Sequence, residues 1–412
     1  MCHNFTMKRR RFLINAAKGL AIFASSKIVM SQATNQTSQK STMSSEFITL
    51  FLCGDVMTGR GIDQIMPHSS DPQLFEPYVR NAKEYVALAE RANGRIAKPV
   101  DFAYIWGDAL AEFQRFAPDV RIVNLETSIT TNDKHWSGKD IHYRMHPKNI
   151  ACLAAAEIDC CVLANNHVLD WGYQGLAETL STLREANIKT AGAGRDSEEA
   201  GAPAIMEVSN HFRVIVFSFA MESSGVPDQW AADRDKAGVN KLPNLSEKTT
   251  KLIADQIHRV KQSGDIVVAS IHWGGNWGYH IPNDHIQFAH RLIDTANVDV
   301  IHGHSSHHAI GIEVYKNKPI IYGCGDFIND YEGISGYERY RDDLALMYFV
   351  RIAPKTGELG GLEMVPTQLK RFRSNRASEE DAQWLQTTLN RECGRFKGRI
   401  ELTEDQTLAL HW

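Results

Sequence analysis

Short, unbroken apolar runs alternate with segments of helical periodicity along most of this 412-residue chain. Apolar runs of about four to eight residues are typical of strands that are covered on both faces. Eight such runs lie within residues 47–55, 120–126, 159–167, 212–220, 265–274, 298–304, 318–326 and 344–352. This alternation constrains the fold because it favours an α/β class, in which helices cover layered sheets.

Three segments carry clear helical patterns, and they are residues 173–188, 284–298 and 378–394. In the first of them, Leu176, Leu180 and Leu183 keep the spacing of one helical face. Asp284 is predicted to cap the second helix at its N-terminus, and Ser378 is predicted to cap the third. Each helix therefore has a buried face or a start signal that the sequence itself provides.

Composition changes little after residue 46, and no internal repeat is visible. We therefore predict one large domain over residues 46–370, with residues 371–412 forming a C-terminal helix and tail packed on the same domain. The seven cysteines lie mostly in apolar segments, and a chain of this length does not need a disulfide framework. The net charge of −4 shows no global basic field, so a nucleic-acid partner is not expected.

The first residues differ from the rest of the chain. Arg9 and Arg10 precede Phe12, Leu13 and a short, mildly apolar stretch, which is the form of a twin-arginine export signal. We predict an export signal over residues 1–33, a polar linker over 34–45, and a periplasmic or cell-surface location. The alternative is a basic, disordered tail.

Potential metal ligands follow five of the predicted strands. In open α/β sheets, ligands bind outside the carboxyl ends of the strands, so these side chains are expected to meet at one edge. They are Asp55, Glu126, Asn166 with His167 and Asp170, His272, and His304 with His307. A single histidine or aspartate at a strand end is usually structural, but five coincidences favour a shared site.

Carboxylate, amide and imidazole ligands together suit manganese, iron or zinc. No thiolate joins the set, which argues against a closed structural zinc site. We predict one or two divalent metal ions as cofactors. Two ions bridged by a carboxylate would suit hydrolysis, because one activates water while both hold the transferred group.

Five segments stand in the order found in the CapA family: FLCGDVMTGR, VNLETSIT, LANNHVLDWG, IHWGGNW and GHSSHHAIGIEVYKNKPIIYGCGDF. The chain resembles this family over residues 47–352. The family is named for poly-γ-glutamate capsule synthesis and belongs to the calcineurin-like metallophosphoesterase superfamily. The resemblance implies a layered α-β-β-α fold with its metal site at the carboxyl ends of the strands.

The resemblance also assigns roles to individual residues. The residues that match metal ligands are Asp55, Glu126, Asn166, His272, His304 and His307. Among these, Glu126 occupies the position expected to bridge two ions. His167 matches a histidine that contacts the leaving group as general acid or electrostatic stabiliser, and Asp170 is counted with it as catalytic. Arg60 is predicted to bind an anionic substrate group; the alternative is a surface arginine on the first helix.

Two further histidines lie close to the predicted ligands. Strand alternation places His302 on the same face as His304 but deeper, so we interpret it as structural or as an outer partner of a ligand. His308 follows a ligand directly and is expected to turn away.

Four positions depart from the family pattern. They are Met57 in place of histidine, Asn276 in place of glutamate, Ser306 in place of proline, and Asp326 in place of asparagine. These changes bear on the metal count and the substrate more than on the fold.

The leading hypothesis is an exported metal-dependent hydrolase acting on a phosphoester or an anionic polymer in capsule or extracellular polymer metabolism. The alternative is a non-catalytic factor that binds or anchors such a polymer, with membrane-associated capsule synthesis machinery as its partner. Met57 favours this alternative, and the rest of the ligand set favours the enzyme. A third interpretation, a nucleotide or nucleic-acid phosphodiesterase, depends on superfamily analogy alone.

Overall fold

A computed structural model describes residues 47–208 and 212–412 of the chain. These residues belong to one compact unit, Ser44–Trp412. The predicted export signal and the predicted linker both lie outside the described residues. Among the described helices, none is long and apolar enough to cross a membrane.

Twenty strands lie in the described part of the chain. They are β1 Ile48–Val56, β2 Val120–Leu125, β3 Ser128–Ile129, β4 Arg144–Met145, β5 Cys160–Val162, β6 Lys189–Ala191, β7 Ala193–Gly194, β8 Ala204–Glu207, β9 Arg213–Ala220, β10 Gly238–Val239, β11 Ile266–His272, β12 Val300–His304, β13 Ile312–Tyr315, β14 Lys318–Ile321, β15 Asp326–Ile328, β16 Leu344–Ala353, β17 Glu358–Lys370, β18 Arg373–Arg376, β19 Arg399–Leu402 and β20 Leu408–His411.

Nine α-helices occur in the same described ranges. They are α1 Arg60–Asp63, α2 Lys83–Asn93, α3 Ala109–Phe116, α4 Ala151–Ala155, α5 Gly172–Glu185, α6 Ser197–Gly201, α7 Glu247–Val260, α8 Asn283–Ala296 and α9 Glu379–Cys393.

Two large sheets organise the molecule. The first has the strand order β19-β20-β17-β16-β1-β2-β5-β6, with β15 added parallel to β1 and β18 antiparallel to β17. Its half from β1 to β6 is parallel, and its half from β16 to β19 is antiparallel. The second has the order β13-β14-β12-β11-β9-β8, and its four central strands are parallel. The mixed α/β class with several sheets is therefore confirmed.

Three apolar cores follow from the two faces of each sheet. In β1, Leu50 and Leu52 belong to a core shared with strands of the second sheet, whereas Phe51 and Cys53 belong to a core shared with helices. This split follows from the alternation of side chains along a strand. A third core joins the other face of the second sheet to α7 and α8. Strands buried on both faces explain the continuous apolar runs in the sequence.

Several local predictions can be compared with the structure. Leu176, Leu180 and Leu183 are buried on α5, and Ser378 caps α9 by accepting a hydrogen bond from the Asp381 backbone N–H at 3.2 Å. The predicted cap at Asp284 is wrong. Helix α8 begins one residue earlier, directly after a proline and without a side-chain cap.

The run at residues 318–326 is not one strand. It forms β14 in the second sheet, and the chain then crosses to the first sheet, where β15 begins at Asp326. Gly325 makes this crossing possible with a φ of +80°, which is costly for any other residue. The crossing places Asp326 beside Asp55 in the ladder between β15 and β1.

The six cysteines in the described ranges are all buried and free, as predicted from their apolar neighbours. They act as small apolar side chains in the cores.

Candidate metal centre

The carboxyl ends of parallel strands from both large sheets meet at one buried site. Asp55 stands near the end of β1, and His272 and His304 are register partners that end β11 and β12. The other predicted ligands follow the ends of β2, β5 and β12; they are Glu126, Asn166 and His307. All of these side chains are buried except that of Asn166, which is half-buried.

Asp55, His272 and His304 form what we term the imidazole-rich cluster. Each offers one ligand atom, and these atoms lie within 4.8 Å of one another. The two Nδ1 atoms of His272 and His304 are 2.8 Å apart, and His304 Nδ1 lies 3.9 Å from Asp55 Oδ1. This spacing is compatible with three atoms around one cation.

A chain of hydrogen bonds determines which nitrogen of His304 carries a proton. The Cys53 carbonyl oxygen can only accept, so His302 Nε2 donates to it at 2.8 Å. Burial lowers the pKa of His302 to about 4, against the effect of its bond to Cys53, so the ring is neutral. Ser270 Oγ therefore donates to His302 Nδ1 at 3.1 Å and accepts from His304 Nε2 at 2.8 Å. His304 Nδ1 is left as a lone pair.

The same reasoning applies to His272. Its Nε2 lies 3.0 Å from the side-chain oxygen of Asn166, which accepts, so Nε2 carries the proton and Nδ1 a lone pair. Burial lowers the pKa of both His272 and His304 well below the usual value, so neither ring gains a second proton near neutral pH. Two lone pairs 2.8 Å apart repel each other unless a cation lies against both of them. The residues present therefore fit a metal ion.

Asp55, His307 and Asp326 form a second group, the carboxylate-rich cluster, again with ligand atoms within 4.8 Å of one another. His307 Nδ1 lies 2.8 Å from Asp326 Oδ1, and Asn329 donates to Asp326 Oδ2 at 2.9 Å. Burial alone lowers the pKa of His307, but the Asp326 carboxylate outweighs it and raises the pKa. Burial, and then Asp326, raise the pKa of Asp55.

Asp55 belongs to both clusters, and one of its oxygens has no hydrogen-bond partner. That atom, Oδ2, is buried, whereas Oδ1 accepts from the Asn124 side chain at 2.7 Å. A buried carboxylate oxygen without a partner is costly, and a metal ion is one way to satisfy it. Asp326 was noted in the sequence only as a departure from the family pattern. The sequence signal that could identify it is a carboxylate that directly ends an apolar run.

Glu126 lies between the imidazole-rich cluster and His167. Its Oε2 is 4.0 Å from His272 Nε2 and accepts from Asn124 at 3.0 Å, while its Oε1 is 3.8 Å from His167 Nε2. Burial, followed by the Asp55 carboxylate, raises the pKa of Glu126 well above its usual range. Glu126 belongs to neither ligand cluster, and its bridging role stays a prediction.

The side chains of His167 and Asp170 form a pair. His167 Nδ1 lies 2.6 Å from Asp170 Oδ2, so the carboxylate holds one ring nitrogen and leaves Nε2 facing Glu126. Burial lowers the pKa of His167 to about 4, with Asp170 acting in the opposite direction. Burial alone would raise the pKa of Asp170, but His167 and Lys139 outweigh it and lower that pKa.

Lys139 contacts both residues of this pair, and the sequence did not indicate it. Its Nζ donates to Asp170 Oδ1 and to the Asn166 carbonyl oxygen, and it lies 2.9 Å from His167 Nδ1. The residue comes from a long polar loop between β3 and β4, where no pattern distinguishes it from its neighbours. Only the folded loop brings its charge to the site.

The structure corrects the interpretation of Arg60. Its guanidinium donates to Asp330 at 2.5 and 3.1 Å, to Glu76 at 2.9 Å and to Tyr85 at 3.1 Å. The residue is only 4% exposed, so the surface alternative is wrong. The predicted substrate contact is also not supported, because two protein carboxylates already hold the donors. Arg60 instead ties the start of α1 to the segment that follows β15.

The two remaining histidines behave as predicted. His302 lies behind His304 in the hydrogen-bond chain described above. His308 turns from the site, where its Nε2 accepts from the Gly278 backbone N–H at 3.0 Å and its ring stacks on Tyr340.

Comparisons with known proteins agree with the motifs. The family model described as "Bacterial capsule synthesis protein PGA_cap" matches residues 49–331. The chain is 48% identical over 366 residues to a "Probable polyglutamine synthesis accessory protein" of Mycobacterium tuberculosis, covering 89% of this chain and 96% of that protein. It is 26% identical to the "PGA biosynthesis protein CapA" of Bacillus subtilis, covering 81% of this chain and 75% of that protein.

One solved structure aligns with 77% of this chain and 98% of its own chain, at 11% identity and a TM-score of 0.35, a likeness too low to assign the fold. The sequence comparisons show the family. They span most of the domain and agree with the resemblance to CapA. This chain belongs to the PGA_cap family of bacterial capsule synthesis proteins.

Proposed function

We propose that this protein is a metal-dependent hydrolase that serves the synthesis or processing of an anionic capsule polymer of the polyglutamate type. The family and the names of its relatives support the biological setting. The observation that carries the reaction type is the pair of ligand clusters that share Asp55, with Glu126 and the paired His167 beside them. A binding factor has no need for such a constellation at the ends of five strands.

The packing supports a metallophosphoesterase-like fold for this reaction. One core lies between the two large sheets, and the other two join the sheets to helices, which is the arrangement of an α-β-β-α sandwich. In open α/β sheets, ligands bind outside the carboxyl ends of the strands, and the predicted metal ligands lie there.

One or two divalent ions, manganese, iron or zinc, would be held by the two clusters with Glu126 and Asn166 beside them. Such ions would supply Lewis acidity, which activates water and neutralises charge on the transferred group. The protein's own part is to hold His167 in one orientation. Because Asp170 engages Nδ1, proton transfer with a leaving group is confined to Nε2. Lys139 pairs with Asp170 and helps to hold that carboxylate beside His167.

A second candidate is a non-catalytic factor that binds the polymer and anchors it to membrane-associated capsule machinery. Met57 favours this function, because it replaces a ligand and its buried Sδ lies 3.7 Å from the Tyr331 hydroxyl. The rest of the predicted ligand set is nearly complete, so we place the enzyme first.

The two candidates can be separated with the full-length protein. Metal-loaded protein would be incubated with bis(p-nitrophenyl) phosphate and, separately, with polymeric γ-glutamate whose chain length is followed by gel filtration. We expect cleavage of one of these substrates. Replacing His167 with Ala should reduce the rate about 10²- to 10⁴-fold and leave the metal content unchanged, because this residue is not assigned as a ligand.

The matched control for this substitution is H258A, which removes an exposed histidine near the end of α7. Metal-loaded protein that cleaves neither substrate, yet binds polymeric γ-glutamate, would favour the anchoring factor. A rate that H167A and H258A reduce equally would contradict the assigned role of His167.

We also propose that the protein is exported and acts in the periplasm or at the cell surface. The basic residues before the short apolar stretch support export by the twin-arginine route. Replacing Arg9 and Arg10 with Lys should retain the protein in the cytoplasm, as judged by fractionation. Unchanged fractionation would contradict this route.

A further inference from the structure

We propose that Asp326 is a direct ligand of a second divalent cation, and that it takes the place of the imidazole that Met57 cannot supply. The cation would be held by the carboxylate-rich cluster, whose other members are Asp55 and His307. This inference rests on the proposed metal centre and not on the proposed reaction.

The backbone holds the two aspartates at one edge of the sheet. Strand β15 runs parallel to β1 with Asp55 and Asp326 as register partners, and the Asp55 N–H donates to the Gly325 carbonyl oxygen at 3.2 Å. A Cβ at Gly54 would lie 1.6 Å from that same oxygen, so only glycine allows this approach. The juxtaposition of the two carboxylates is therefore built into the ladder.

Met57 directly follows β1, two residues after Asp55. Its N–H donates to the Ile328 carbonyl oxygen at 2.8 Å, and its thioether is buried against Tyr331. A thioether is a soft donor that binds manganese, iron and zinc poorly. The ligand lost at position 57, directly after β1, can thus be replaced from the neighbouring strand β15, which begins at Asp326.

The net charge of this cluster favours a bound cation. Two buried carboxylates face one imidazole, which can carry at most one positive charge, and Asp55 Oδ2 is buried without a hydrogen-bond partner. A carboxylate that only orients a ligating histidine need not approach the other ligands. Asp326 does approach them, because its ligand atom lies within 4.8 Å of those of both Asp55 and His307.

A cavity lies next to the cluster. It has a volume of about 370 Å³ and is lined by Asn329, Tyr331 and Asp342, of which Asn329 donates a hydrogen bond to Asp326. Two carboxylates and one imidazole are harder donors than the set in the imidazole-rich cluster. We therefore expect the second site to prefer manganese over zinc.

The test is a titration of metal-stripped, full-length protein with Mn²⁺. Binding is measured by calorimetry and by the electron paramagnetic resonance signal of free Mn²⁺. The wild-type protein should bind two equivalents. The D326N variant, which introduces the residue common at this position in the resembling family, should bind one. Its affinity for the second equivalent should fall by more than about 100-fold, the upper range for removal of an outer partner of a ligand.

Two further variants complete the design. D342N removes a neighbouring carboxylate that belongs to neither cluster, so it should keep two equivalents with an affinity change below about 10-fold. M57H combined with D326N should regain the second equivalent by restoring an imidazole directly after β1. Circular dichroism would verify that each variant folds.

A D326N variant that binds two equivalents with unchanged affinity would overturn the inference. A folded M57H/D326N variant that binds one equivalent would do the same. Wild-type protein that binds no metal would instead contradict the proposed metal centre itself, so the two failures are distinguishable.

Discussion

The two ligand clusters share Asp55 but are built in different ways. The imidazole-rich cluster takes His272 and His304 from adjacent parallel strands, in register, and each ring has its outer nitrogen engaged by a neighbouring side chain. In the carboxylate-rich cluster, His307 comes from a loop and Asp326 from the start of a strand that the chain reaches by crossing between sheets.

The departures from the family pattern lie in or near the carboxylate-rich cluster. Met57 directly follows β1, Asp326 begins the paired strand β15, and Ser306 precedes His307 in the loop. Asn276 is held to that loop, because its carbonyl oxygen accepts from the His307 N–H at 2.9 Å. Ligands fixed by strand register leave little freedom for substitution, whereas ligands on loops and crossings can be exchanged.

The largest effect should come from breaking the imidazole-rich cluster directly. Replacing His304 with Ala removes one of its three ligands, and we expect the loss of one bound metal equivalent, with affinity reduced by more than about 100-fold. Metal analysis of protein purified without chelator would measure this. H258A, at an exposed position, is the control and should leave the content unchanged. Unaltered metal content in H304A would mean that the ligand assignment is wrong.

Replacing Arg60 with Met tests the surroundings of the carboxylate-rich cluster. The buried carboxylates of Glu76 and Asp330 would lose their cation, which should reduce the free energy of unfolding by about 3–5 kcal/mol in urea titrations. Because Asp330 follows β15, the carboxylate-rich cluster should also lose affinity for metal while the imidazole-rich cluster keeps its equivalent.

The matched control is R115M, which breaks ion pairs at the surface, where the Arg115 side chain is 37% exposed. Exposed ion pairs contribute about 0–1 kcal/mol, so this variant should lose no more than that. Equal losses in R60M and R115M would contradict the structural role of Arg60.

Metal removal should itself destabilise the protein. At a free metal concentration 100-fold above Kd, one occupied site raises the free energy of unfolding by about 2.7 kcal/mol. Urea unfolding with and without a chelator would measure the difference. H304A should show a smaller difference than wild type, since only the carboxylate-rich cluster still contributes. A chelator without effect on wild-type stability would count against both clusters.

The smallest effect concerns the hydrogen-bond chain behind His304. Replacing Ser270 with Ala leaves His304 Nε2 without an acceptor, which should cost about 1–3 kcal/mol of stability and about 10- to 100-fold in metal affinity. Ser218 is the register partner of Ser270 on β9, and its buried Oγ has no hydrogen-bond partner. S218A is therefore a matched control that should change neither quantity. If both variants bind metal like wild type, the chain does not orient His304.

Much of the fold could be predicted from the sequence, because apolar runs and helical spacing are patterns within short segments of the chain. The same locality identified Asp55, His272 and His304, since each directly ends or nearly ends an apolar run. Arg60 was misinterpreted because its partners, Glu76 and Asp330, lie 16 and 270 residues away. A charged residue near a helix start looks the same in sequence whether it faces solvent or two buried carboxylates.

The sequence by itself determined the α/β class, the family and the residue types available to a metal centre, because these depend on patterns within a few residues of each other. Only the tertiary structure decided which of those residues act together. The crossing at Gly325 brings Asp326 to Asp55, and the folded loop brings Lys139 to Asp170. Such contacts join distant segments, and their geometry depends on strand register and packing, which no local pattern specifies.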